Sequence, residues 1–191
     1  MGGNLPGLEH VKLKIADCPG IDNENEEVVL EKISKHMKFR CRDGISAFLL
    51  VFDINQISNQ DTAETLKTYV THFDKLDSAQ NFIQNLIVIY THDKSVTDGT
   101  GPDEGNIKEF RKQLKIVLEE HISQESNSTT AMNKLKIAKV SIENVCSVHF
   151  DLPQEKVLNE SEDFAGGNVE QLKELIRQIR ERGKSKFFTL N

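Results

Sequence analysis

Two short, almost unbroken apolar runs set the limits on what this chain can fold into. Ile45 to Phe52 is apolar except for Ser46 and ends in Asp53, and Leu86 to Tyr90 is apolar throughout. Runs of this length without alternation mark strands buried on both faces. Between them, Asp61 to Leu76 places Leu66, Tyr69, Val70, Phe73 and Leu76 at helical spacing. A strand, a helix of a dozen or more residues and another strand form a crossover unit, which implies parallel pairing. The expected class is therefore α/β, a mostly parallel sheet with flanking helices.

The remaining segments continue the alternation. Val11 to Ala16 predicts a strand with Val11, Leu13 and Ile15 on one face. Glu24 to Arg40 predicts a helix with Val29, Ile33, His36, Met37 and Arg40 along one side and acidic residues in its first turn. Ile107 to Ile122 predicts a helix that buries Phe110, Leu114, Val117, Leu118 and Ile122. Ser123 to Thr130 is polar and reads as a surface loop, and Val145 to Phe150 as a short strand. Asn168 to Arg182 predicts the last helix, with Asn168 as its cap, Gln171 three residues on, and Val169, Leu172, Leu175, Ile176 and Ile179 as its buried stripe. Sheets of this kind bind ligands at the carboxyl ends of their strands. That rule gathers Asp17, Asp53, Thr91-His92-Asp93 and His149-Phe150-Asp151 onto one rim.

Composition narrows the function. The 191 residues read as a single domain, with a flexible start over 1–9 and a tail over 183–191. A net charge of −6 argues against nucleic acid as the main partner, because phosphate binding wants a basic surface. The run Ile45 to Phe52 is far too short to span a bilayer, and residues 1–16 lack the apolar core of a signal peptide. Pro6 stands where a myristoylation signal wants Ser or Thr. Cys18, Cys41 and Cys146 are odd in number and lack metal spacing, so they read as reduced thiols of a cytoplasmic protein.

The chemistry concentrates in Lys14-Ile15-Ala16-Asp17-Cys18-Pro19-Gly20, where an alternating apolar run ends in Asp-x-Pro-Gly. Asp, Pro and Gly are all turn formers, so a plain strand exit accounts for these four residues taken alone. Three further stretches add weight: Asp43 to Val51, Leu86-Ile87-Val88-Ile89-Tyr90-Thr91-His92, and Gln171 to Thr189. In order and spacing the four resemble the immunity-associated GTPases, the GIMAP or IAN family of the septin-like branch of P-loop GTPases. The resemblance runs from about residue 10 to the C-terminus. The family's Asp-Thr-Pro-Gly matches Asp17-Cys18-Pro19-Gly20, and its guanine-reading Thr-His matches Thr91-His92.

The resemblance implies a P-loop GTPase-like domain that binds GTP or GDP with magnesium. Asp17 would hold the metal through water, and Gly20 would approach the γ-phosphate. Thr91, His92 and Asp93 would form the base pocket, closed by Phe150 and Asp151. It also implies a homodimer formed through the nucleotide face. Ile21 and Asp22 follow Gly20, where some GTPases carry glutamine, so hydrolysis should be slow or dependent on a partner.

The departures are specific. The family's first strand, Gly-x-x-x-x-Gly-Lys-Ser loop and first helix are not among these residues. In the family that strand lies between the one ending at Asp17 and the one ending at Asp53, so its loss would leave ladder groups unpaired. The fourth position of the guanine motif is Lys94, which cannot accept from guanine, and the acid stands one residue early at Asp93. Gly183-Lys184-Ser185 imitates the end of a phosphate loop, yet its first glycine would fall at Gln178, inside the last helix. Two functional classes therefore stand: a guanine-nucleotide-binding switch domain, and a pseudo-GTPase interaction module that keeps the scaffold without the nucleotide.

Overall fold

The computed structural model describes residues 14–17, 26–41, 44–55, 59–76, 79–98, 104–123, 139–151 and 166–185. The chain falls into two compact units, Met1–Arg42 and Asp43–Asn191.

In the first unit, helix α1 spans Glu26–Arg40. It buries Leu30, Ile33, Ser34 and Met37, a stripe at i, i+3, i+4 and i+7. Ser34 sits on the buried side because its hydroxyl donates back to the Leu30 carbonyl at 2.9 Å. The stripe lies differently from the one expected, since His36 and Arg40 are exposed. Arg40 places its guanidinium 5.4 Å from the exposed Phe39 ring. The last turn is closed by Lys14 Nζ, which donates to the Arg40 carbonyl at 2.8 Å.

The strand expected over Val11–Ala16 is corrected where it is described. Residues 14–17 are irregular and exposed, with Ile15 at 75%. A strand needs a neighbour to take its N–H and C=O groups, and the only sheet among the described residues consists of other strands. Residues 11–13 lie outside the described residues.

The second unit is a three-stranded parallel sheet, β1 (Phe48–Asp53), β2 (Leu86–Thr91) and β3 (Cys146–His149), in the order β1-β2-β3. Gly44 leads into it at φ 97°, a left-handed conformation that costs glycine nothing. Helices α2 (Asn59–Leu76) and α3 (Ala79–Gln84) join β1 to β2. Helices α4 (Ser95–Asp98), α5 (Glu104–Ser123) and α6 (139–143) lie between β2 and β3, and α7 (Gly166–Ser185) ends the described chain. The strand order advances in one direction, so right-handed crossovers place α2 and α5 on the same face.

Register divides the core in two. Phe48, Leu50 and Phe52 align with Leu86, Val88 and Tyr90 on one face, where Ser147 and His149 of β3 continue the rows. This face meets an aromatic layer. Phe48 packs on Phe73 of α2 and Phe82 of α3, Phe73 stacks on Phe82 with ring centres 4.4 Å apart, and Phe52 meets Phe110 of α5. On the opposite face Ile87, Ile89, Val148 and Phe150 form a cluster against Leu172, Leu175 and Ile179 of α7. Burying a side chain such as Leu66, Phe82 or Leu114, each fully enclosed, contributes about 1.5–3 kcal/mol.

Helix α7 begins two residues before Asn168, which therefore stands inside the first turn and not before it. It continues through Ser185, so Gly183-Lys184-Ser185 is helical and cannot wrap a phosphate.

Candidate functional site

The carboxyl ends of the three strands are stitched together by backbone bonds that continue past the strands themselves. Ile54 N–H donates to the Thr91 carbonyl at 3.1 Å, Phe150 N–H to Tyr90 at 2.8 Å, and Asp93 N–H to Phe150 at 3.1 Å. The Thr91 hydroxyl donates to the Phe52 carbonyl at 3.2 Å. These bonds fix Asp53, Thr91, His92, Asp93, His149, Phe150 and Asp151 at one rim.

His92 is the pivot of that rim. It adopts φ 60°, a left-handed conformation uncommon for a residue with a Cβ. The turn lets Asp93 return to the Phe150 carbonyl while the His92 ring swings toward β1. His92 Nδ1 lies 3.3 Å from Asp53 Oδ2. The two atoms approach without the alignment of a hydrogen bond, and among the described residues the buried Nδ1 has no hydrogen-bond partner. Asp53 is held by its own turn, accepting from Asn55 N–H at 2.9 Å.

Asp93 is the most constrained group of the site. It is buried, and both of its oxygens are engaged. Oδ1 accepts from the Ser95 amide at 3.1 Å and from the Ser95 hydroxyl, which closes the turn that starts α4. Oδ2 lies 2.6 Å from His149 Nδ1. Burial pushes the Asp93 carboxyl upward, but the hydrogen bonds from Ser95 and His149 outweigh it, and its pKa falls below the ordinary value. An ionised carboxylate can only accept, so Nδ1 carries a proton. In the neutral ring Nε2 is then an acceptor, and the Ser147 hydroxyl sits 3.1 Å from it. Tyr90 packs against the same imidazole with ring centres 4.9 Å apart, and burial raises its own phenol to about 12.

The residues singled out from sequence distribute as follows. Thr91, His92, Asp93, Phe150 and Asp151 belong to the rim of the second unit. Thr91, His92 and Asp151 are half-buried, and Asp93 is buried. The Phe150 ring, expected to close a base pocket, lies instead in the α7-side cluster with Ile87, Ile89 and Val148. Strand alternation turns it away from the face that carries His149. Asp17 is exposed and belongs to the first unit, and Gly20 lies outside the described residues. Among the described residues no three carboxylate, imidazole or thiol groups gather as a metal site.

His149 and Ser147 were not assigned roles from sequence. Their i, i+2 spacing on a strand places them on one face, which was readable. Their meeting with Asp93, 56 residues away from His149, depends on the β2–β3 register and was not. No family model, curated protein or solved structure matches the chain.

Proposed function

We propose that the chain is a guanine-nucleotide-binding domain of the GTPase switch class, of the kind its motifs resemble, and that the end of β2 reads the base. The observation that supports this most is the shared rim, where Thr91, His92, Asp93 and Asp151 stand at the carboxyl ends of adjacent parallel strands. Asp93 supplies the acceptor for guanine's N–H groups, and Thr91 and His92 shape the turn around it. Lys94 is exposed and takes no part in accepting. Magnesium and any dimer through the nucleotide face belong to the same proposal, with Asp17 as the metal's protein contact. Bound magnesium would screen phosphate charge.

A second reading has a specific observation behind it. Asp93 Oδ1 already accepts two bonds and Oδ2 one, so little acceptor capacity remains for a base. A carboxylate satisfied from within suits an interaction module that keeps the scaffold and holds no nucleotide.

Competition against a fluorescent guanine nucleotide separates the two. The sequence contains no Gly-x-x-x-x-Gly-Lys-Ser, so base reading should dominate. Guanosine, GDP and GTP should compete within about tenfold of one another, a span of about 1.4 kcal/mol, and adenosine should not compete. No binding by the folded chain, or equal competition by adenosine, refutes the nucleotide reading and leaves the interaction module.

A further inference from the structure

We infer that Ser147 is a nucleophile activated by His149 and Asp93, able to take an acyl or phosphonyl group from a small activated ester. The arrangement has the three parts that such chemistry requires: a hydroxyl, a base within hydrogen-bond reach, and a third group that orients the base. Ser147 Oγ lies 3.1 Å from His149 Nε2, and His149 Nδ1 lies 2.6 Å from Asp93 Oδ2. Asp93 is itself held by Ser95, so the imidazole cannot rotate without breaking a buried charge-assisted bond. His149 is buried and so works in a site of low dielectric, whereas Ser147 is half-buried on β3, an edge strand of the described sheet. This inference does not rest on the nucleotide reading, although both use Asp93: here it is Oδ2, the oxygen that meets His149, that matters.

The step balances without any co-reactant. As Ser147 Oγ attacks the carbonyl carbon, its proton passes to His149 Nε2. The bond to the leaving alkoxide breaks, and that proton leaves with the alcohol. With a fluorophosphonate the new bond is Oγ–P, the P–F bond breaks, and fluoride and the proton depart. Asp93 stays ionised throughout and stabilises the imidazolium.

The test is labelling of the intact chain with an alkyl fluorophosphonate, followed by intact-mass measurement and peptide mapping. One adduct per chain, mapped to Ser147, is expected. Ser147→Ala should abolish it, with an unchanged far-ultraviolet circular dichroism spectrum. Asp93→Asn, whose amide N–H can donate to Nδ1 and so leave the imidazole proton on Nε2, should slow labelling by about 10²–10⁴-fold, the usual contribution of general-base catalysis. No adduct on the unaltered chain overturns the inference, as does an adduct on another residue. Labelling of Asp93→Asn at the unaltered rate also overturns it. Mapping on the unaltered chain decides the matter even where a variant fails to fold.

Discussion

Replacing His149 by leucine should remove a large part of the stability of the second unit. His149 is 4% exposed and Asp93 is 6% exposed, and the two meet at 2.6 Å. Leucine fills much of the volume but leaves the Asp93 carboxylate buried with Ser95 as its remaining partner among the described residues. Stranding a buried hydrogen-bonding group costs about 1–3 kcal/mol, and more where the group is charged. Asp93 is charged but Ser95 still donates twice to Oδ1, so about 3 kcal/mol is expected. Domains of this size are stable by about 5–15 kcal/mol, so the loss is a large fraction of the total. With a urea slope of about 2 kcal/mol per molar, the midpoint should fall by about 1.5 M. The chain has no tryptophan, so far-ultraviolet circular dichroism is the appropriate signal. Asp93→Asn in the His149→Leu background removes the stranded charge. The double variant should then be more stable than the sum of the single losses predicts, by about 1–3 kcal/mol of coupling. A single-variant loss below about 1 kcal/mol, or losses that add within about 0.5 kcal/mol, would refute the view that this pair is a coupled buried unit.

Three further outcomes follow from the same geometry. The Asp93 pKa is depressed in the folded state, so its contribution is fully present above the ordinary carboxylate value near ~3.9 and is lost as pH falls through the folded value. The stability gap between the unaltered chain and Asp93→Asn, read from urea midpoints, should therefore narrow below about pH 4. Phe82→Ala should cost about 3–5 kcal/mol by calorimetry or urea melting, because the ring is fully buried against Phe48 and Phe73. Burial pushes the Cys146 thiol above its ordinary pKa despite the Arg182 guanidinium beside it, so at neutral pH Cys146 should alkylate more slowly than free cysteine, as followed by peptide mapping.

Long, strongly periodic segments were readable from sequence. The expected stripe of α5, Phe110, Leu114, Val117, Leu118 and Ile122, is buried as a set, and β2 differs from its expected range by a single residue. These segments carry enough apolar side chains for periodicity to outvote local noise. Helix α1 was legible as a helix but not in its phase. Leu30 and Ser34 are buried where His36 and Arg40 had been expected, and a serine that back-bonds to its own helix gives no apolar signal. Helices α3 and α4 were not expected, since four to six residues hold too few turns to show a period. Most of the rim was placed correctly on strand ends, because Thr91, His92, Asp93 and Asp151 follow apolar runs. The orientation of its side chains was not legible. Whether Phe150 faces α7 and whether Asp93 finds His149 are settled by register and by the His92 turn, which involve residues far apart in the chain.

The guanine reading is tested most directly by amide chemical shifts of the labelled chain titrated with GDP and, separately, with ADP. The account predicts saturable shifts from GDP at Thr91, His92, Asp93 and Asp151, with no saturable response to ADP. Shifts confined to other residues, the same response to both nucleotides, or no shift at millimolar GDP would contradict it.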